Sequence, residues 1–411
     1  MVTKWSFPEK SRLQANKKLP DPMAGPDGAR ITSPEQWPEQ REYLKAMLEH
    51  YMYGHVPPPP YNTKGEVVGS EKIYDGAAVR DTVKITCGPN NAVAFTATLT
   101  RPARPGPFPV VVTHHMEIGD KTVEQFFEEE KIDKKNLKSY GTCVIEEELL
   151  QRGYALASYT KTELCPDAVD ISASQLFKIY PDSDWRAVAM WSWGHSRIAD
   201  YLETTDWADL DRLIVTGASR GGKIALHSAV YDERFAVCAA SISGCGGAGN
   251  FRYLGGRMGN GMGRVETIAD MTRKDGMWYF FADRLADFAY RDDPAVPGDE
   301  AYLPFDLHFL RALIAPRAVI STDGLDDVWC GCFGTQLSWH ASQPTFNFLD
   351  AAGKNALFLR EDGHMYNETD WHEVLAFCDN VLYGMQIPHG YTTRCYHNTH
   401  RIYFTDFFEY E

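Results

Sequence analysis

No stretch of the 411-residue chain holds enough consecutive apolar residues to cross a bilayer. The opening Met1-Val-Thr-Lys-Trp5 lacks the apolar centre of a secretory leader. The chain as it stands is therefore expected to be soluble. Basic residues are in short supply: 41 Lys and Arg face 56 Asp and Glu, a net charge of −15. That excess of negative charge argues against nucleic acid and anionic membranes as partners, and an acidic substrate would need cations gathered locally. Cysteine is present as nine residues, an odd number without repeating spacing, which excludes a disulfide framework. Cys330-x-Cys332 is too tight for a zinc knuckle, with no second Cys/His pair at ligand spacing nearby. No metal or cofactor is expected. Internal repeats and low-complexity tracts are also missing.

What is present is apolar and aromatic. Hydrophobic residues make up 44% of the chain, enough for one large core. Ten tryptophans offer flat faces for sugar rings, although most aromatics are expected in the core.

The first 60 residues are rich in Pro and charge. They hold one expected helix, Pro34 to Tyr53, and read as an N-terminal extension packed on a catalytic domain spanning 61–411. Two runs that alternate apolar and polar, from Val79 and from Ala92, predict half-buried strands. Pro109-Val-Val-Val-Thr113 is continuously apolar, as a central parallel strand should be. Residues 117–148 are charged and read as an insertion near the site. Further strands are expected at Tyr154–Tyr159, Leu213–Thr216, Phe235–Ser241, Ala318–Ser321 and Ala356–Leu359, with helices at Arg186–Glu203, Gly222–Val230 and Trp371–Leu382. Residues 250–305 show no regular pattern. Short apolar strands alternating with helices imply a mostly parallel sheet covered on both faces.

The chemistry is carried by Gly217-Ala-Ser219-Arg-Gly221, set between the Leu213 strand and the following helix. In that setting Gly-x-Ser-x-Gly predicts a nucleophile elbow and an α/β-hydrolase fold, a three-layer αβα sandwich. The serine must stand on a strained turn that side chains on the flanking residues would block. The Arg220 N–H then points at a developing oxyanion, aided by the helix N-terminus.

In this fold the acid and the histidine follow the serine in that order. His364 comes after the Ala356 strand, a polar turn and Gly363, and no other histidine has both that setting and that order. His195 and His227 fall within expected helices and read as packing residues. His114 and His115, after a strand end, are placed to line the site. The acid is expected in Asp323-Gly-Leu-Asp326-Asp327. A Gly-x-x-Asp turn selects Asp327, with Asp326 next and Asp323 also available.

With these residues in place the chain resembles carbohydrate esterase family 15, the glucuronoyl esterases, from about Gly54 to about Gly384. The resemblance is carried by Gly217-Ala-Ser219-Arg220-Gly-Gly222-Lys223, by Ser243-Gly244-Cys-Gly246-Gly247, by Val265-Glu266-Thr267, and by Asp306 to Arg317. It implies cleavage of esters between 4-O-methyl-glucuronic acid and lignin-type alcohols. It also implies that the Arg220 side chain supports the oxyanion, that Lys223 and Glu266 contact sugar hydroxyls, and that Trp329 stacks near the uronate. A secreted or periplasmic monomer whose leader is absent from this chain is expected. The sequence departs from the family at three points. Ile242 stands where many members carry the acidic Glu, which places the acid elsewhere and favours Asp327. Ala218 and Met365 stand where fungal members have a disulfide pair. The triad would serve other esters too, so an acetyl-xylan esterase and a non-catalytic carbohydrate-binding member remain as alternatives.

Overall fold

The computed structural model describes residues 4–115, 117–118, 121–122, 145–253, 265–274, 276–289, 299–387 and 390. Most of the expected insertion, and the tail from Pro388 apart from Gly390, lie outside them. Nine strands make one sheet: β1 Lys64–Ile73, β2 Ala78–Cys87, β3 Val93–Pro102, β4 Phe108–Val112, β5 Ala155–Tyr159, β6 Ala208–Ala218, β7 Phe235–Ser241, β8 Ala318–Gly324 and β9 Asn355–Arg360. Their order across the sheet is β1-β2-β3-β5-β4-β6-β7-β8-β9. The first three strands and β5 pair antiparallel, and every pair from β5 to β9 is parallel.

Strand composition explains this arrangement. Every residue of β4, β5 and β8 is buried, as expected of strands covered on both faces. Successive residues face different cores. Val110, Val112, Ala155 and Ala157 join a cluster that includes Trp185, Trp191 and Leu310. Val111, Leu156 and Ile214 join another with Leu149, Trp371 and Leu375. The first cluster is covered by helices α3 (Ala187–Leu202), α4 (Arg220–Tyr231) and α6 (His308–Ile314), and by α1 (Trp37–Leu48). The second is covered by α2 (Glu146–Gln151) and α8 (Glu368–Tyr383). Short α5 (Ile268–Thr272) lies in the irregular stretch, and α7 (Cys332–Phe348) follows β8. The result is the expected three-layer αβα sandwich with an α/β-hydrolase strand order. Among the described residues no helix is long and apolar enough to cross a membrane.

Two elements are not apparent in the sequence. The outer strand β1 is exposed along nearly its whole length and charged at Lys64, Glu66, Glu71 and Lys72. It therefore shows no apolar alternation, and its charges suit an unpaired edge. The 17-residue α7 is preceded by Gly331 as its N-cap, contains Gly334 and carries Pro344 within it. These helix breakers hide it. Burial of Phe333, Leu337, Trp339 and Phe346 supplies the stability that propensity withholds.

Residues 4–60 pack into the same core. Trp37 donates to the carbonyl of Ala315 at 3.2 Å, and His308 meets the Pro20 carbonyl at 2.7 Å. Six of the ten tryptophans are buried, and Trp329 alone is markedly exposed. The aromatic excess is thus mostly core.

Candidate active site

Strand β6 ends at Ala218 and helix α4 starts at Arg220, so Ser219 is the whole turn. Its φ of 55° and ψ of −119° lie where side-chain-bearing residues rarely sit, a strain of roughly 1–3 kcal/mol. Backbone bonds hold it there. The Ser219 N–H donates to the Ser241 carbonyl at 3.0 Å, and the Ser219 carbonyl accepts from the N–H groups of Gly222 (2.9 Å) and Lys223 (3.2 Å). A Cβ on Gly217 would lie 2.4 Å from the Gly221 carbonyl oxygen. One on Gly221 would lie 2.6 Å from the His114 ring. Both glycines are therefore required by contact, as the motif predicts.

The His114 ring, just beyond β4, packs beneath the elbow. Burial, reinforced by nearby Lys161, drives its pKa well below the usual histidine range. It is therefore a neutral packing group under the turn. His115 Nε2 meets Ser158 Oγ at 3.3 Å. His195 and His227 are buried against Ser228 and Ser192, with pKa values lowered by burial to about 3.

His364 lies in the turn after β9, with its side chain 42% exposed. Its Nδ1 is 2.7 Å from Asp327 Oδ2. The other oxygen of Asp327 accepts the Cys330 N–H at 3.1 Å. Burial would raise the pKa of Asp327, but His364 and the Cys330 amide outweigh it and hold the carboxyl below its ordinary value. The other two aspartates are not so placed. Asp326 is exposed and ties its N–H to the Asp362 carbonyl at 2.9 Å. Asp323 is 1% exposed at the end of β8, and burial pushes it up to about 7. Ile242 is buried at φ 40°, and its carbonyl accepts the Cys330 thiol at 2.9 Å. Cys330, which the sequence offered only as half of a rejected zinc pair, also lies 3.4 Å from His364 Nδ1. Asp327, Cys330 and His364 place three possible metal ligands within 4.8 Å of one another. Burial pushes the thiol up, and the thiol donates to the Ile242 carbonyl.

Arg220 is the first residue of α4 and half exposed. Its guanidinium pairs with Asp167 and lies 5.6 Å above the Phe280 ring. Asp167 also receives Lys161 Nζ at 3.0 Å and the Tyr279 hydroxyl at 2.7 Å. Burial opposes ionisation of Asp167, yet Lys161 and Arg220 keep its pKa low. The trio of Arg220, Lys161 and Asp167 thus holds two cations against one carboxylate. Lys161 and Asp167 share the segment after β5 while Tyr279 lies 112 residues beyond Asp167, so no local spacing links the three and sequence reading missed them.

Lys223, one turn into α4, is buried. Its Nζ donates to Glu266 Oε2 at 2.9 Å and to the Ser243 carbonyl at 2.8 Å. Glu266 is just as buried, and its N–H donates to the Trp329 carbonyl at 2.9 Å. Burial raises the Glu266 pKa while Lys223 opposes the rise. The Trp329 side chain stands exposed beside this pair. Breaking a buried pair from one side leaves a charge without compensation, at a cost of about 3–5 kcal/mol. Lys223→Met is therefore expected to lower unfolding free energy by that much in urea titration. Adding Glu266→Gln should return a large part of it. Equal losses in single and double variants would refute the coupling.

A serine held at a strained strand-to-helix turn, on a mostly parallel sheet with a histidine and a buried aspartate at later strand ends, defines a class. It is the α/β-hydrolase class of carboxylic ester hydrolases. A family model described as glucuronyl esterase of fungi matches residues 83–350. The chain belongs to that glucuronyl esterase family, carbohydrate esterase family 15. It is 27% identical to a carbohydrate esterase from an unknown prokaryotic organism, over 89% of this chain and 90% of that protein. It is 26% identical to a 4-O-methyl-glucuronoyl methylesterase of Schizophyllum commune, over 92% of this chain and 86% of that one. Among solved structures it superposes on a family 15 glucuronoyl esterase from Caldicellulosiruptor kristjansonii. The TM-score is 0.72 and the identity 26%, covering 95% of this chain and 97% of that one.

Proposed function

We propose that the protein hydrolyses esters of 4-O-methyl-glucuronic acid, as borne on glucuronoxylan and linked to lignin-type alcohols, through an acyl-enzyme on Ser219. The observation that carries this reading is the elbow itself: the strained Ser219, followed by Arg220 at the mouth and the Lys223–Glu266 pair behind it. His364 takes the Ser219 hydroxyl proton as Oγ bonds to the ester carbonyl carbon, with Asp327 fixing the imidazole tautomer and stabilising the imidazolium. The oxyanion lies against the Arg220 N–H and guanidinium, and such a donor contributes about 3–4 kcal/mol to transition-state stabilisation. The carbonyl–alkoxy bond breaks, and His364 returns the proton to the departing alcohol. Water then attacks the acyl-enzyme, losing its proton to His364, which passes it to Ser219 Oγ as the uronic acid leaves.

In this reading Lys223 and Glu266 meet the sugar hydroxyls and Trp329 stacks on the uronate. Residues 1–60 act as an extension of a single catalytic domain, and the enzyme works as a secreted or periplasmic monomer. The test is a comparison of benzyl glucuronate with acetylated xylan. Turnover of the first and little of the second is expected. The reverse ratio would establish an acetyl esterase. No turnover of either, with no phosphonate labelling of Ser219, would establish a binding protein.

A further inference from the structure

The turn that carries His364 is held from inside the protein by one side chain. Arg360, the last residue of β9, is 5% exposed. Its Nη1 donates to the Gly363 carbonyl at 3.1 Å, and its Nη2 donates to the Met365 carbonyl. These are the residues on either side of His364. Its Nε donates to Asp370 Oδ2 at 2.8 Å. Asp370 is fully buried and accepts the Asn367 N–H at 2.9 Å, which closes the N-terminus of α8. The same turn is laced to the acid-bearing loop. The Leu325 N–H donates to the Arg360 carbonyl at 2.8 Å, and the Asp326 N–H to the Asp362 carbonyl at 2.9 Å. Gly324 makes that approach possible, since a Cβ there would lie 2.3 Å from the Asp362 oxygen and 2.5 Å from that of Gly363.

We infer that Arg360 is a positioning residue for His364, clamping the carbonyls on both sides of it while Asp370 fixes the guanidinium. The inference rests on the proposed catalytic role of Ser219 and His364. A planar guanidinium suits the task because its N–H groups diverge in fixed directions. One edge reaches two carbonyls and the remaining N–H meets the carboxylate. A lysine ammonium at the same site preserves the charge opposite Asp370, but as a point donor on a flexible stem it cannot span both carbonyls in fixed geometry. The backbone at residue 364 then loses its anchor. The imidazole leaves the position set by Asp327, and a misplacement of about 1 Å can cost about 10²-fold in rate.

The test measures the rate at which a fluorophosphonate labels Ser219. That reaction needs His364 as base and does not depend on which ester is the natural substrate. Arg360→Lys is expected to slow labelling by about 10²-fold with an unchanged near-UV circular dichroism spectrum. In Arg360→Ala, added guanidinium at sub-denaturing concentration is expected to restore much of the rate, while wild type does not respond. With benzyl glucuronate the loss should fall on kcat and leave KM alone, because Arg360 does not face the substrate. Labelling of Arg360→Lys at the wild-type rate would overturn the inference. So would wild-type labelling by a folded Arg360→Met/Asp370→Asn variant, which leaves no buried charge unpaired. A wild-type protein that does not label at all would instead remove the serine-nucleophile reading on which the inference stands.

Discussion

Ser219→Ala is expected to lower turnover of a glucuronate ester by about 10⁶-fold, the loss seen when a triad nucleophile is removed. Replacement takes away the only atom that can carry the acyl group in the proposed mechanism. The fold should not change. The bonds that hold the strained turn run from the Ser219 N–H to Ser241 and into the Ser219 carbonyl from Gly222 and Lys223, and all of them are backbone. Alanine at the same φ of 55° retains the strain already present. Substrate affinity should therefore survive, and the variant should bind a glucuronate ester that it cannot cleave. Calorimetric binding with no turnover is the expected pair of results. Substantial residual hydrolysis would place the nucleophile elsewhere.

The second large effect separates three aspartates that lie within five residues of one another. Asp327→Asn is expected to reduce kcat by about 10⁴-fold, because an amide at that place favours the wrong imidazole tautomer. The structure explains the choice: Asp327 alone of the three reaches His364, at 2.7 Å, and the Cys330 amide holds its other oxygen. Asp326→Asn should retain near-wild-type turnover, since that side chain is exposed. An equal loss in Asp326→Asn would move the acid by one residue. Asp323→Asn should also spare activity but change the response of stability to pH. With a folded pKa of about 7, above its unfolded value, Asp323 contributes stability that is fully present below about pH 4 and is lost as pH rises through 7. The asparagine variant should lack that loss, which denaturant titrations at pH 5 and pH 8 would show.

The elbow was legible in the sequence because it is local. Gly217, Ser219 and Gly221 lie within five residues, and their spacing is dictated by contacts inside one turn. The parallel strands were legible for the same reason: continuous apolar runs such as Pro109 to Thr113 can only be stable when covered on both faces. His364 could be reached by chain order. Other features stayed hidden because sequence spacing carries no trace of them. Helix α7 is stabilised by burial against its own helix breakers, and β1 is an edge strand with no apolar face to display.

By itself, then, the sequence determined the layered architecture and the elbow and pointed to His364, since each depends on short-range pattern or on order along the chain. Tertiary structure decided which aspartate meets His364, that Lys223 and Glu266 are a buried pair across 43 residues, and that Arg220 is paired with Asp167. It also decided that Arg360, which in sequence reads as one more charge beside Glu361 and Asp362, points inward to hold the histidine turn. The physical reason is common to all of these. A charged side chain takes its role from the partner that compensates its burial, and that partner is chosen by the fold rather than by the neighbouring sequence.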